Sequence, residues 1–117
     1  MSKKCRAEFK AKVEAALDRF VEKYPAAFFP KDSTQTRPLQ IGVFTILTGQ
    51  NPDIGRRVVA EALQRYTMKD RYLRALATSA HRFDLDGMVC GEVSEKHRDF
   101  AIKTLAERQA RKMVEAA

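Results

Sequence analysis

The stretch from Arg82 to Val93 restricts what this chain can build more than any other part of it. Arg82-Phe83-Asp84-Leu85-Asp86-Gly87 followed by Met88 to Val93 reads as a β-hairpin. Asp-Gly is a favoured pair for a two-residue type I′ turn, whose central residues both take positive φ, so Asp86-Gly87 is expected at the tip. Phe83, Leu85, Met88 and Cys90 then share one apolar face, with Arg82 and Asp84 on the other. A two-stranded ribbon is marginal in water by itself. Helices must therefore lie against it, and the sequence on both sides is helical in pattern.

Before the hairpin, Phe9, Val13, Ala16, Leu17, Phe20, Val21 and Tyr24 recur at spacings of three and four, predicting a helix over 6–24 that Pro25 ends. Ala26–Phe29 is expected to be a short turn burying aromatic side chains, and Lys31–Thr36 a polar loop. Pro38 suits a first helical turn, so a second helix is expected over 38–47, with Gly49 in a left-handed terminal position. Asn51 is expected to cap a third helix, with Pro52 at its first position and Asp53 in its first turn. Val58, Val59, Ala62, Leu63 and Tyr66 form the buried side of that helix. A cap near Thr67 opens a fourth helix over 68–77, anchored by Tyr72, Leu73 and Leu76. After the hairpin, Ser94 caps a final helix with a stripe of His97, Ala101, Thr104, Leu105 and Arg108, exposed or frayed beyond about Gln109. The expected class is mainly α with a small β-hairpin (α+β), about five helices in one domain spanning 1–117.

The chain has 117 residues, 44% hydrophobic and 32% charged, which suits one folded core. No run approaches the 18 apolar residues of a membrane span, and Met1-Ser2-Lys3-Lys4 lacks the apolar stretch of a secretory signal. Cys5 and Cys90 have no metal-ligand spacing and read as reduced thiols, Cys90 in the core, in a cytoplasmic protein. His81 and His97 have no carboxylate or thiol set beside them, and phosphate-binding and dinucleotide glycine motifs are missing. No catalytic residue, metal or cofactor is expected.

The net charge is +7. Most of it lies in one segment, where Arg56, Arg57, Arg65, Lys69, Arg71, Arg74 and Arg82 meet only two acids, Glu61 and Asp70. Arginine outnumbers lysine there, and its planar fork matches phosphate oxygens. The pattern points to a nucleic acid. Tyr72, between Arg71 and Arg74, is either a helix anchor or a platform for an unpaired base. Arg82 is either a phosphate ligand or the partner of Asp84, and its replacement by alanine is expected to leave the fold intact. A duplex-DNA module and a protein-interaction domain are the alternative readings. A membrane is not an expected partner, because no helix pairs a broad exposed apolar face with a basic one.

Several pieces together resemble the FinO/ProQ-domain family of bacterial RNA chaperones. They are Tyr24-Pro25-Ala26-Ala27-Phe28, Arg37-Pro38-Leu39-Gln40-Ile41-Gly42-Val43-Phe44, Ala62-Leu63-Gln64-Arg65-Tyr66-Thr67, Arg71-Tyr72-Leu73, the run from Arg82 to Gly87, and Gly91-Glu92-Val93. Their order is kept over about residues 8–108. The resemblance implies a mostly helical domain with a small hairpin and a basic concave face; a monomer is expected. It further implies that the partner is a structured RNA with a 3′ single-stranded tail: the terminator stem and U-rich end of small RNAs and mRNAs. By position it puts RNA contacts on Arg37, Leu39, Arg56, Arg71, Tyr72, Arg82 and Lys103. Gln40, Ala60 and Gln64 depart from basic positions of the family. Arg57, Arg65 and Arg74 complete the expected basic surface.

Overall fold

The computed structural model describes residues 2–116 and contains five helices and one two-stranded antiparallel sheet. Helix α1 is Lys3–Lys23, and the Ser2 hydroxyl caps it by accepting from the Cys5 amide at 3.2 Å. That cap starts the helix earlier than residue 6, because the amphipathic stripe says nothing of polar first turns. Val13, Ala16 and Phe20 are buried, and the helix stops at Tyr24 before Pro25. Phe28 then turns inward and meets Phe20 at 5.3 Å and Tyr66 at 4.9 Å between ring centroids. Each fully buried aromatic of this kind contributes about 1.5–3 kcal/mol of transfer free energy, and tilted pairing adds about 0.5–1.5 kcal/mol. This aromatic nucleus organises the core.

The segment expected as the start of a second helix is extended instead. Helix α2 is Val43–Gln50 only. Pro38, Leu39 and Gln40 run beside the hairpin: the Phe83 amide donates to the Pro38 carbonyl at 2.9 Å, and the Gln40 amide to the Phe83 carbonyl at 3.0 Å. Gly42, at φ +87°, turns the chain from this strap into α2. Proline fixes φ at a value that serves both a first helical turn and an extended edge, so local preference does not separate the two. Gly49 lies within α2 and does not take positive φ. Asn51 is the C-terminal cap of α2 and no N-cap; its amide donates to the Leu47 carbonyl and the Tyr24 hydroxyl, which buries it.

Helix α3 is Arg56–Thr67, capped by Gly55, so Pro52 and Asp53 fall in the turn before it. Val59, Ala62 and Tyr66 are buried, as their spacing predicts. Helix α4, Asp70–Thr78, starts after Lys69 and buries Tyr72, Leu73 and Leu76. Thr67 is not its cap, because its hydroxyl bonds back to the Leu63 carbonyl inside α3.

Strands β1 (His81–Phe83) and β2 (Val89–Glu92) form the hairpin. Its tip is not a type I′ turn. Gly87 alone has positive φ there, +84°, and the Asp84 carboxylate accepts from the amides of Asp86 and Met88. The longer loop follows from that carboxylate satisfying amides that a two-residue turn would send across the ladder. Register shifts between Arg82 and Phe83. In consequence Met88 and Cys90 are exposed and Arg82 is buried, against the expected facing, while Phe83 and Leu85 are half-buried in keeping with it. The strap covers the other edge of β1, which the helices alone do not. Helix α5, Glu95–Ala116, begins with the Ser94 hydroxyl accepting from the His97 amide, and buries Ala101 against α4. It stays helical past Gln109 with exposed side chains, Val114 among them.

Candidate nucleic-acid interface

The strap over residues 37–41 is an axis with a cleft at each end. At the first end Arg37 is exposed and lies over the Phe83 ring at 5.0 Å. It lines a cleft of about 330 Å³ together with Arg71, Arg74, Thr34, Thr36 and Ser79. Arg71 and Arg74 come from successive turns of α4, which brings both to this side. Their roles differ. Arg71 donates to the carbonyls of Phe29 (2.9 Å), Ser33 (3.0 Å) and Pro30, and its guanidinium packs over the Tyr66 ring at 5.4 Å. It is a clamp that holds the loop carrying Thr34 to Arg37, and it adds its charge to the cleft. Arg74 is exposed and makes no ion pair among the described residues. Together with Arg37 it offers free donors to an anion.

At the second end, a cleft of about 220 Å³ is lined by Gln40, Ile41, Arg82, Cys90, Gly91 and Glu92. Here Arg82 is 9% exposed, donating through Nη1 to the Leu39 carbonyl at 2.7 Å and through Nη2 to His97 Nδ1 at 2.9 Å. It is not paired with Asp84, whose carboxylate belongs to the hairpin tip. Replacement of Arg82 by alanine therefore strips the Leu39 carbonyl of a charged donor, contrary to the expectation that the fold tolerates it. Immediately after Gln40 and Ile41 comes the start of α2, capped by Gly42 without any side-chain hydrogen bond and with no acidic residue in its first turn. The amides of Val43 and Thr45 already donate to the carbonyls of Gln40 and Gly42, so among the described residues that of Phe44 is the one left at this helix start for a negative or polar oxygen group. Ile41 nearby is 72% exposed. Arg37 of the first cleft and Gln40 of the second are three residues apart along the strap, about 10 Å at extended rise.

Two expected contact residues are core instead. Leu39 is 3% exposed and serves through its backbone. Tyr72 is 4% exposed, meets Tyr66 edge-on at 5.8 Å, and accepts a hydrogen bond from the Leu39 amide at 3.0 Å. No face of that ring is open to a base. Burial pushes the Tyr72 phenol up from its ordinary value, as it does that of Tyr66.

Arg56, Arg57, Arg65 and Lys103 line neither cleft. Arg56 and Arg57 are exposed at the start of α3, over the rings of Phe44 (5.7 Å) and Phe9 (5.3 Å). Arg65 is paired with Glu61 at 3.1 Å, and Lys103 is exposed on α5. Arg56, Arg71 and Arg82 thus do not share one cavity. Both acids of the basic segment are neutralised, since Asp70 bonds Arg108 at 2.6 Å with Lys112 at 3.7 Å, and Arg108 holds its carboxyl below the usual range.

The sequence reading missed His97 and the loop over Thr34 to Thr36. His97 was visible only as a polar member at the head of an otherwise buried stripe. Among the described residues no group of three His, Cys, Asp or Glu side chains is placed to hold a metal, and no helix is long and apolar enough to cross a membrane.

Residues 10–117 match the family model described as the ProQ/FINO family. An RNA chaperone ProQ from Shewanella pealeana is 38% identical over 98 residues, covering 81% of this chain and 45% of that protein. One from Aliivibrio fischeri is 34% identical over 93 residues, covering 77% and 44%. The chain spans about half the length of the curated relatives it matches. Among solved structures, a FinO-like RNA chaperone from Neisseria meningitidis superposes with a TM-score of 0.70 at 25% identity, over 93% of this chain and 86% of the other. A ProQ homologue from Legionella pneumophila gives 0.67 at 27% identity, over 84% and 83%.

Proposed function

The chain belongs to the ProQ/FINO family, and from that membership we propose that it is an RNA chaperone, acting by binding and not by catalysis. Its ligand is a structured RNA, the stem of a terminator hairpin followed by a single-stranded 3′ tail, in post-transcriptional regulation in the cytoplasm. Residues 1–117 act as one RNA-binding domain and bind as a monomer.

The observation that carries this reading is the strap with its two clefts. Arg37 and Arg74 stand exposed over one cleft, and the buried Arg82 guanidinium, with Gln40, Ile41, Cys90, Gly91 and Glu92, forms the other close to the start of α2. Exposed arginines suit stem phosphates, because the deep narrow major groove of A-form RNA hides the bases. The smaller cleft suits the last nucleotides of a tail, whose terminal hydroxyls and phosphates find donors in Arg82 and the start of α2. Arg56, Arg57, Arg65 and Lys103 extend the positive field along α3 and α5 and guide approach more than they grip. Leu39 and Tyr72 support the strap from beneath.

The test is a titration of a labelled terminator hairpin carrying a U-rich tail, against the same hairpin without the tail and a duplex DNA of equal length. At about 150 mM salt the tailed RNA is expected to bind tightest. Arg74→Ala is expected to weaken binding of all RNAs and to reduce the salt slope by about 1, with the melting temperature unchanged. A preference for duplex DNA, or no binding of any nucleic acid at low salt, overturns the proposal.

A further inference from the structure

We propose that His97 is a positioning residue for the Arg82 guanidinium, and that its unprotonated ring is needed for the smaller cleft to take up an RNA tail. The inference rests on the reading above that Arg82 meets the RNA. An arginine has five N–H donors. One on Nη1 goes to the Leu39 carbonyl and one on Nη2 to His97 Nδ1, so the fork is held from two elements, the strap and α5. Nε is buried without a protein partner. A fork fixed at two points is preorganised, so a ligand meeting its remaining donors immobilises nothing further.

The proton inventory fixes the state of the histidine. A guanidinium only donates and keeps its charge at every accessible pH. The ring atom 2.9 Å from Nη2 must therefore present a lone pair, which makes His97 the neutral tautomer with its proton on Nε2. Protonation of Nδ1 would set N–H against N–H between two cations, and the contact must open. Arg82 then keeps the Leu39 carbonyl and the neighbouring Tyr72 hydroxyl but loses one of its two fixed points, and the cleft loses the set direction of its donors.

The other charged or titratable groups around this pair come from four elements. They are the Tyr72 hydroxyl of α4 next to Arg82, Glu92 and the Cys90 thiol of β2 lining the same cleft, His81 of β1 opposite Glu92, and Arg98 of α5, whose Nη2 donates to the Ser79 carbonyl. Between about pH 5.5 and 7.5 histidine is the side chain whose charge changes. His81, exposed and outside the cleft, is the other histidine of the chain and serves as the control.

The experiment measures affinity for a tailed hairpin and for the same hairpin without its tail at about pH 7.5 and 5.5. The proteins are the wild type, His97→Asn, His97→Ala, His81→Gln and Arg82→Lys, each with its melting temperature. Wild type is expected to lose about tenfold affinity for the tailed RNA on acidification, the scale of a hydrogen bond to a charged group, with the tailless hairpin lacking that loss. In His97→Asn the amide oxygen takes the place of Nδ1, accepts from the guanidinium and does not titrate, so this variant binds like wild type at the higher pH and lacks the step. His97→Ala is about tenfold weaker for the tailed RNA at both pH values. His81→Gln keeps the step. A step that persists in His97→Asn, or wild-type affinity in His97→Ala, overturns the positioning role. If Arg82→Lys binds the tailed RNA as wild type does, the placement of RNA at Arg82 falls with it. If Arg82→Lys is weakened while both His97 variants match wild type at each pH, the positioning role alone falls.

Discussion

Replacing Tyr72 by phenylalanine separates a core tyrosine from a base-stacking one. The substitution keeps the ring, its edge-on contact with Tyr66 at 5.8 Å and nearly all its volume, so no cavity is made. It removes the hydroxyl that accepts from the Leu39 amide at 3.0 Å, and Leu39 is 3% exposed. The amide is then left buried and unpaired, which costs about 1–3 kcal/mol. For a chain of this length each kcal/mol lowers the melting temperature by about 4 °C, so a fall of about 4–12 °C is expected. Urea unfolding with an unchanged slope and a lower midpoint would place the effect in stability. A stacking platform would behave otherwise, since phenylalanine stacks as well and stability would not change. A loss below about 0.5 kcal/mol would mean that the Leu39 amide finds another acceptor, and would refute the argument that this hydroxyl holds the strap down.

Two glycines and one acid give further checks. Gly42→Ala places a side chain at φ +87° with open space around it, so only the left-handed backbone cost of about 1–2 kcal/mol is expected in chemical denaturation. Gly87→Ala at φ +84° adds a Cβ 3.0 Å from that of Ala26, so it must destabilise more than Gly42→Ala; the opposite order would contradict the hairpin's packing against the Ala26 turn. Arg108→Gln removes the partner that depresses Asp70. A depressed carboxylate stabilises above its unfolded value of 3.8 and loses that contribution as pH falls through the lower folded value. Wild type and variant are thus expected to differ at neutral pH, by no more than about 1 kcal/mol for so accessible a pair, and to converge in acid. A difference that persisted at low pH would point to lost packing instead of lost charge.

Much of this protein was legible one residue at a time. Apolar spacing marks α1, α3 and α4 because an amphipathic helix must bury one face whatever it meets, and Phe20, Tyr66 and Leu73 fall where that rule puts them. Ser94 announces α5 because a cap is satisfied within four residues. Net charge and its concentration between Arg56 and Arg82 needed only counting. Pro38 to Gln40 could not be settled this way, since proline there suits helix and edge strand alike, and the ladder partner that decides is Phe83, far along the chain. Likewise the sequence shows that position 82 is an arginine but not what holds it. Leu39 and His97 reach it from two other elements and turn a surface charge into a buried, oriented one. Periodicity and capping are local, so composition and order determine them. Which guanidinium is free to meet an anion and which is consumed by carbonyls, as Arg71 is, depends on contacts between residues far apart in the chain, and only the packed chain decides it.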